Sequence, residues 1–130
     1  MKALYIKGVD ENPRVSLDRE RGIFEICGNS MPEDITSFYE PILNWFEEYT
    51  YDPLPKTILK IRLSYFNSST SKLLLDIFML LEELNQKHPS VEINWYYPYY
   101  DEDMKQTGIE YSQMVDLKFN IMLEKPVAID

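Results

Sequence analysis

The chain has 130 residues, a length that suits one domain, and a domain of this size buries roughly two thirds of the surface its unfolded form exposes, with no need of disulfide or structural metal. Lys and Arg number 13 against 22 Asp and Glu, a formal charge of -9 with no basic stripe to reverse it locally, so nucleic acid and anionic membrane are excluded as expected partners. An apolar share of 45% and an aromatic share of 14% exclude a disordered chain, and a single cysteine, Cys27, excludes an internal disulfide.

The opening Met1-Lys2-Ala3-Leu4-Tyr5-Ile6-Lys7-Gly8 reaches a charge too early for a signal peptide, and no run is long enough to span a bilayer. The cytoplasm is therefore the expected compartment. Ala3 to Val9 reads as a strand, and Asp10-Glu11-Asn12-Pro13 as a loop. Arg14 to Asp18 and Ile23 to Cys27 alternate, with Arg19-Glu20-Arg21-Gly22 between them as a hairpin turn. Ser30-Met31-Pro32-Glu33-Asp34 reads as a helix start with Ser30 as its cap. Ile35, Phe38, Ile42, Trp45, Phe46 and Tyr49 follow at helical spacing. Pro41 inside that pattern removes a backbone hydrogen bond, so a kink or a break is expected there.

Asp52-Pro53-Leu54-Pro55 ends the helix. Leu59, Ile61, Leu63 and Tyr65 then alternate with Lys60, Arg62 and Ser64, a strand with one apolar face. After the polar break Phe66 to Lys72, a second helix carries Leu74, Ile77, Phe78, Leu81 and Leu84 on one face and stops at Lys87-His88-Pro89. Val91, Ile93, Trp95 and Tyr97 alternate as another strand. Asp101 to Val115 reads as a third helix interrupted by Gly108, and Leu117 to Leu123 as a last strand. Strands separated by helices favour parallel neighbours, and the leading hairpin makes the sheet mixed. The fold class is α/β, bordering on α+β. The domain is expected over residues 1–123, with a tail over 124–130.

Asn67-Ser68-Ser69-Thr70-Ser71 stands where the second strand–helix unit turns over. Hydroxyl groups there meet the free N–H groups of a helix start. A phosphoryl group at the same place would meet those donors and the positive end of the helix dipole, and would add about -1.5 to -2 charges. Capping alone needs only one hydroxyl, and spacing by itself favours plain capping over regulation. The pattern is not that of a nucleophilic serine.

Ile26-Cys27-Gly28-Asn29-Ser30-Met31-Pro32-Glu33-Asp34, followed by Phe38-Tyr39-Glu40-Pro41-Ile42-Leu43-Asn44-Trp45-Phe46, resembles the SiaC family of bacterial regulatory phosphoproteins. So does Tyr65-Phe66-Asn67-Ser68-Ser69-Thr70-Ser71-Lys72, and the resemblance runs from the first strand to about Leu123. It implies a fold similar to the STAS domains of anti-sigma-factor antagonists: a mixed sheet with an N-terminal hairpin and about three helices packed on it. It also implies a partner-switching cycle without catalysis by this chain. In that cycle a Ser/Thr kinase of the anti-sigma-factor type adds a phosphate, and a PP2C-type phosphatase removes it. The unmodified form binds and activates a diguanylate cyclase, raising cyclic di-GMP and promoting biofilm. The family pattern has Thr directly after the Asn, and Ser68 occupies that position. Ser68 is therefore the expected phosphorylation site, with Ser69 and Thr70 as alternates, and Asn67 and Ser71 complete the switch loop.

Other chemistry is weakly marked. His88 at a helix end suits capping, and Cys27 in a strand suits an inert packed thiol. Asp101-Glu102-Asp103 fails the calcium-loop spacing because Gln106 stands where the turn glycine belongs. No cofactor and no metal are expected. In Trp95-Tyr96-Tyr97-Pro98-Tyr99-Tyr100, alternation buries Trp95 and Tyr97. Tyr96, Tyr99 and Tyr100 are left either as a protein-binding surface or as cover for the helix–sheet seam, the two readings standing level. Two competing functions remain: an acidic dimerisation domain that uses this aromatic strand end, and an enzyme with an unmarked acid–base site.

Overall fold

The computed structural model describes residues 1–125. In chain order its elements are β1 (Leu4–Ile6), β2 (Arg14–Asp18), β3 (Ile23–Ser30), α1 (Ile35–Tyr49), β4 (Thr57–Phe66), α2 (Ser68–Lys87), β5 (Val91–Pro98), α3 (Glu102–Met114) and β6 (Lys118–Glu124). The strands form one sheet in the order β1-β2-β3-β4-β5-β6. The first three pair antiparallel, and β3 through β6 pair parallel. The architecture is α/β, a mixed sheet with three helices.

Sheet order that follows chain order has a physical consequence. Right-handed crossovers that always advance in one direction place every helix on the same face. Leu59, Ile61 and Leu63 of β4, with Val91, Ile93 and Trp95 of β5, are buried on that face against Tyr39, Phe46, Ile77 and Phe78. The alternate residues, among them Lys60, Arg62, Glu92, Asn94 and Tyr96, lie on the face without helices, and several of them are charged. Arg14 meets Glu25 at 2.7 Å, Arg62 meets Glu25 at 3.0 Å and Glu124 at 2.8 Å, and the Arg62 guanidinium lies 3.7 Å over the Tyr96 ring.

Several local expectations change in three dimensions. β1 is confined to Leu4–Ile6 rather than reaching Val9. Ser30 does not cap α1: it ends β3, and Asp34 accepts the Ser37 N–H instead. Pro41 does not break α1, which runs from Ile35 to Tyr49. Its ring and Ser37, whose carbonyl loses its helical donor, are both exposed, so water can satisfy that carbonyl. Gly108 does not interrupt α3. It is where Trp95 packs: a Cβ at Gly108 would lie 2.7 Å from Trp95 Cγ and Nε1. Glu124 belongs to β6 rather than to a tail, and residues 126–130 of that expected tail lie outside the described residues.

The strict alternation expected for β4 fails at its end. Gly28 pairs with Leu63, but Asn29 pairs with Tyr65, so Ser64 is an extra residue, a bulge. Gly28 itself has a φ of 114°, a backbone conformation that favours glycine. Beyond the bulge the faces exchange. Tyr65 turns outward, 54% exposed, and Phe66 turns inward against Trp95 with ring centroids 6.0 Å apart.

The end of β3 is joined to two helices through buried hydroxyls. Ser30 Oγ lies 2.7 Å from Tyr39 Oη and 3.0 Å from Thr70 Oγ1, and Thr70 Oγ1 donates to the Ser30 carbonyl at 2.9 Å. One proton per hydroxyl then orders the chain. Tyr39 donates to Ser30 Oγ, Ser30 to Thr70 Oγ1, and Thr70 to the carbonyl. Burial is the main reason the Tyr39 phenol is pushed up to about 12, with the Ser30 and Thr70 contacts opposing it.

Two outcomes follow from this packing. Gly108→Ala gains about 1 kcal/mol of helix propensity but overpacks Trp95 at a cost of about 1–3 kcal/mol. The net is a loss of about 1 kcal/mol, read as a lower urea midpoint. In the unfolded chain Tyr39 ionises near 10.0, whereas in the folded chain it holds its proton to about 12. Its stabilisation is therefore complete below the first value and is lost as pH rises through the second. Tyr39→Phe should lower stability at neutral pH by about 1 kcal/mol, since Ser30 Oγ loses a donor. It should also make the alkaline loss shallower, as followed by urea unfolding across that pH range.

Candidate functional site

The parallel arrangement brings the carboxyl ends of β4 and β5 side by side, so the starts of α2 and α3 are neighbours. α2 begins where Asn67 leaves the helical conformation and its Oδ1 accepts the Thr70 N–H at 2.9 Å. α3 begins the same way, with Asp101 Oδ1 accepting the Met104 N–H at 3.0 Å. Between them lies a groove of about 480 Å³. One wall is Ser64, Tyr65, Asn67, Ser68 and Ser71, and the other includes Asp101, Asp103, Thr107 and Glu110.

The hydroxyl run divides by helix geometry. Successive helical residues turn by about 100°, so residues two apart point in nearly opposite directions. Thr70 points inward, is fully buried, and spends its hydroxyl on Ser30. That placement weighs against Thr70 as a modified residue. Ser71 is half-buried, with Oγ 2.8 Å from Tyr111 Oη, while Tyr111 donates to the Ser71 carbonyl at 2.8 Å. Burial pushes the Tyr111 phenol up, and the Ser71 contact opposes this. Ser68 and Ser69 are exposed. Ser68 is the first residue of a 20-residue helix whose first turn holds no carboxylate. A phosphoryl group on it would therefore meet the N–H groups of the first turn, except that of Thr70, which Asn67 Oδ1 already holds, with no carboxylate competing for them. Lys72, exposed one turn on, stands at i+4 from it.

The tyrosines separate as well. Tyr99 and Tyr100 are 71% and 75% exposed, and they pack edge-to-face on each other with centroids 5.3 Å apart. With Arg62, Ser64, Glu124 and Lys125 they line a second hollow of about 260 Å³. Ser64 belongs to both hollows, so the bulge lies between the hydroxyl run and the tyrosine pair. Tyr96 is not part of this exposed group: it is half-buried on the charged sheet face under Arg62. Tyr97 is half-buried rather than fully buried, with the Lys105 ammonium 5.6 Å from its ring. Tyr65 and the carboxylates of Asp101, Asp103 and Glu110 are neighbours of Ser68 that the sequence pattern did not assign. Tyr65 carries no signal in a period-two pattern, because the bulge reverses it.

Among the described residues no group of three His, Cys, Asp or Glu side chains is placed to hold a metal ion. No helix there is long and apolar enough to cross a membrane.

Known proteins agree with this arrangement over nearly the whole chain. A family model described as SiaC family regulatory phosphoprotein matches residues 6–124. An uncharacterized protein of Pseudomonas aeruginosa strain UCBPP-PA14 is 29% identical over 121 residues, spanning 93% of this chain and 96% of that one. The crystal structure of apo-SiaC from Pseudomonas aeruginosa superposes with a TM-score of 0.87 at 28% identity, covering 94% of this chain and 99% of that one. A chain in the crystal structure of the diguanylate cyclase SiaD in complex with its activator SiaC, from the same organism, matches with a TM-score of 0.88 at 28% identity, over 93% and 99% of the two chains. A sheet that advances in chain order, three helices on its one face and a family match from the first strand to the last lead to one assignment: the chain belongs to the SiaC family of regulatory phosphoproteins.

Proposed function

We propose that this chain is a non-enzymatic switch protein whose partners are chosen by phosphorylation of Ser68. In its unmodified form it binds and activates a diguanylate cyclase, and so acts in cyclic di-GMP signalling and biofilm formation. A Ser/Thr kinase of the anti-sigma-factor type adds the phosphate from ATP, and a PP2C-type phosphatase removes it. The cycle runs in the cytoplasm. The observation that carries the reading is the Ser68 hydroxyl itself, exposed at the first residue of α2 while Thr70, two residues on, is spent on the interior. Family membership and a relative solved with a diguanylate cyclase as its activator support the choice of partner.

The electrostatics favour release on phosphorylation. Asp101, Asp103 and Glu110 already line the groove in front of Ser68. A phosphate adds about -1.5 to -2 charges to the same space, and its oxygens occupy volume that a docking side chain would otherwise use. An acidic or tightly fitted partner surface is then expelled. Tyr65, Tyr99 and Tyr100, exposed around the groove and its neighbouring hollow, supply amphipathic area for the docked partner.

Treating the purified chain with such a kinase and ATP should place one phosphate on Ser68, as read by phosphopeptide mapping. Ser68→Ala should take up none while keeping its circular dichroism and unfolding midpoint. Added to the cyclase, the unmodified chain and Ser68→Ala should both raise cyclic di-GMP production. The phosphorylated chain should fail to do so, and the phosphatase should restore it. Phosphate found only on Ser69 would move the switch by one residue. Equal activation by modified and unmodified chain would refute the switch.

A further inference from the structure

The two edges of the sheet are treated differently. β1 is blunted by its length, three residues. β6 is seven residues long and pairs in unbroken register with β5 from Lys118 to Glu124. Among the described residues no strand pairs with its outer side. It contains no proline and no glycine. It exposes Met122 and Leu123, the latter at 53%. A long, regular edge with exposed apolar side chains is the feature that natural sheets usually blunt, because its free N–H and C=O groups invite another strand.

We propose that two copies of this chain pair antiparallel along β6, about a two-fold axis at Ile121, to make one continuous sheet. The sequence of the strand, Lys-Phe-Asn-Ile-Met-Leu-Glu, is self-complementary in that register. Lys118 stands opposite Glu124 of the other copy, Phe119 opposite Leu123, Asn120 opposite Met122, and Ile121 opposite itself. Each pair joins residues an even number apart, so both members point to the same face and offer backbone groups on the same side. The two charge pairs fall at the ends and the apolar pair Phe119–Leu123 falls on the helix-bearing face. A shift of one residue would set apolar against charged side chains and opposite faces together. The charged ends are free to re-pair. Lys118 lies 3.7 Å from Glu92 and is 68% exposed, and Glu124 uses only Oε1 for Arg62. The partner here is another molecule of this protein, independent of the Ser68 reading.

Analytical ultracentrifugation of the full chain over a range of concentrations tests the pairing. A monomer–dimer equilibrium is expected. Lys118→Glu places like charges opposite each other at both ends and should weaken association about tenfold, two symmetric pairs each worth a fraction of a kcal/mol. Glu124→Lys should do the same. The double variant Lys118→Glu with Glu124→Lys restores complementarity and should associate more tightly than either single variant. Leu123→Lys should abolish the dimer; circular dichroism shows whether it keeps the fold, and the charge-swap set decides the matter if it does not. A monomer at every concentration overturns the proposal, whether or not some other protein's strand takes the edge. So does a dimer indifferent to these substitutions, or a double variant weaker than both singles.

Discussion

A chain of three buried hydroxyls determines where the functional surface stands. Tyr39 of α1, Ser30 at the end of β3 and Thr70 in the first turn of α2 meet in an interior where each must find a partner. The Ser30 carbonyl takes both the Thr70 hydroxyl and, at 3.3 Å, the Asn67 N–H. The start of α2 is therefore tied to the sheet by groups that cost about 1–3 kcal/mol each if left unpaired. With Thr70 anchored, the twist of the helix forces Ser68 outward. The accessible hydroxyl and the buried one are two consequences of a single constraint.

The one-sided sheet shapes the electrostatics of the molecule. With every helix on one face, the other needs a polar cover, and Arg14, Glu25, Arg62, Glu124 and Tyr96 supply it across five strands. Partly exposed ion pairs of this kind contribute little stability individually. Their larger effect is on what remains elsewhere. Two of the few arginines of an acidic chain are committed to that face, and the groove in front of Ser68 is left to Asp101, Asp103 and Glu110. A modification that adds negative charge acts where no arginine lines the groove.

The bulge at Ser64 links fold and surface. An extra residue at the end of β4 exchanges the faces of the last two positions, so Phe66 seals the core against Trp95 and Tyr65 joins the surface beside Ser68. The same end of the sheet carries Tyr99 and Tyr100. Partner contacts and the modified residue can thus share one surface, which the end of β6 borders at Glu124.

Periodicity in the sequence determined the element order, the hairpin at Arg19–Gly22, the buried faces of α1 and α2, and the hydroxyl run at a helix start. Each of these depends on neighbours a few residues apart, and local pattern carries that information. The short motifs around Pro32, Pro41 and Asn67 determined the family. Tertiary structure alone decided that Ser30 is an anchor rather than a cap, that Gly108 is a seat for Trp95 rather than a break, and that Pro41 does not break a helix on whose exposed side it and Ser37 lie. It alone turned Tyr65 outward, covered Tyr96 with Arg62, and separated Thr70 from Ser68. In every one of these cases the deciding partner lies far along the chain or in solvent, and packing between distant segments leaves no period to read.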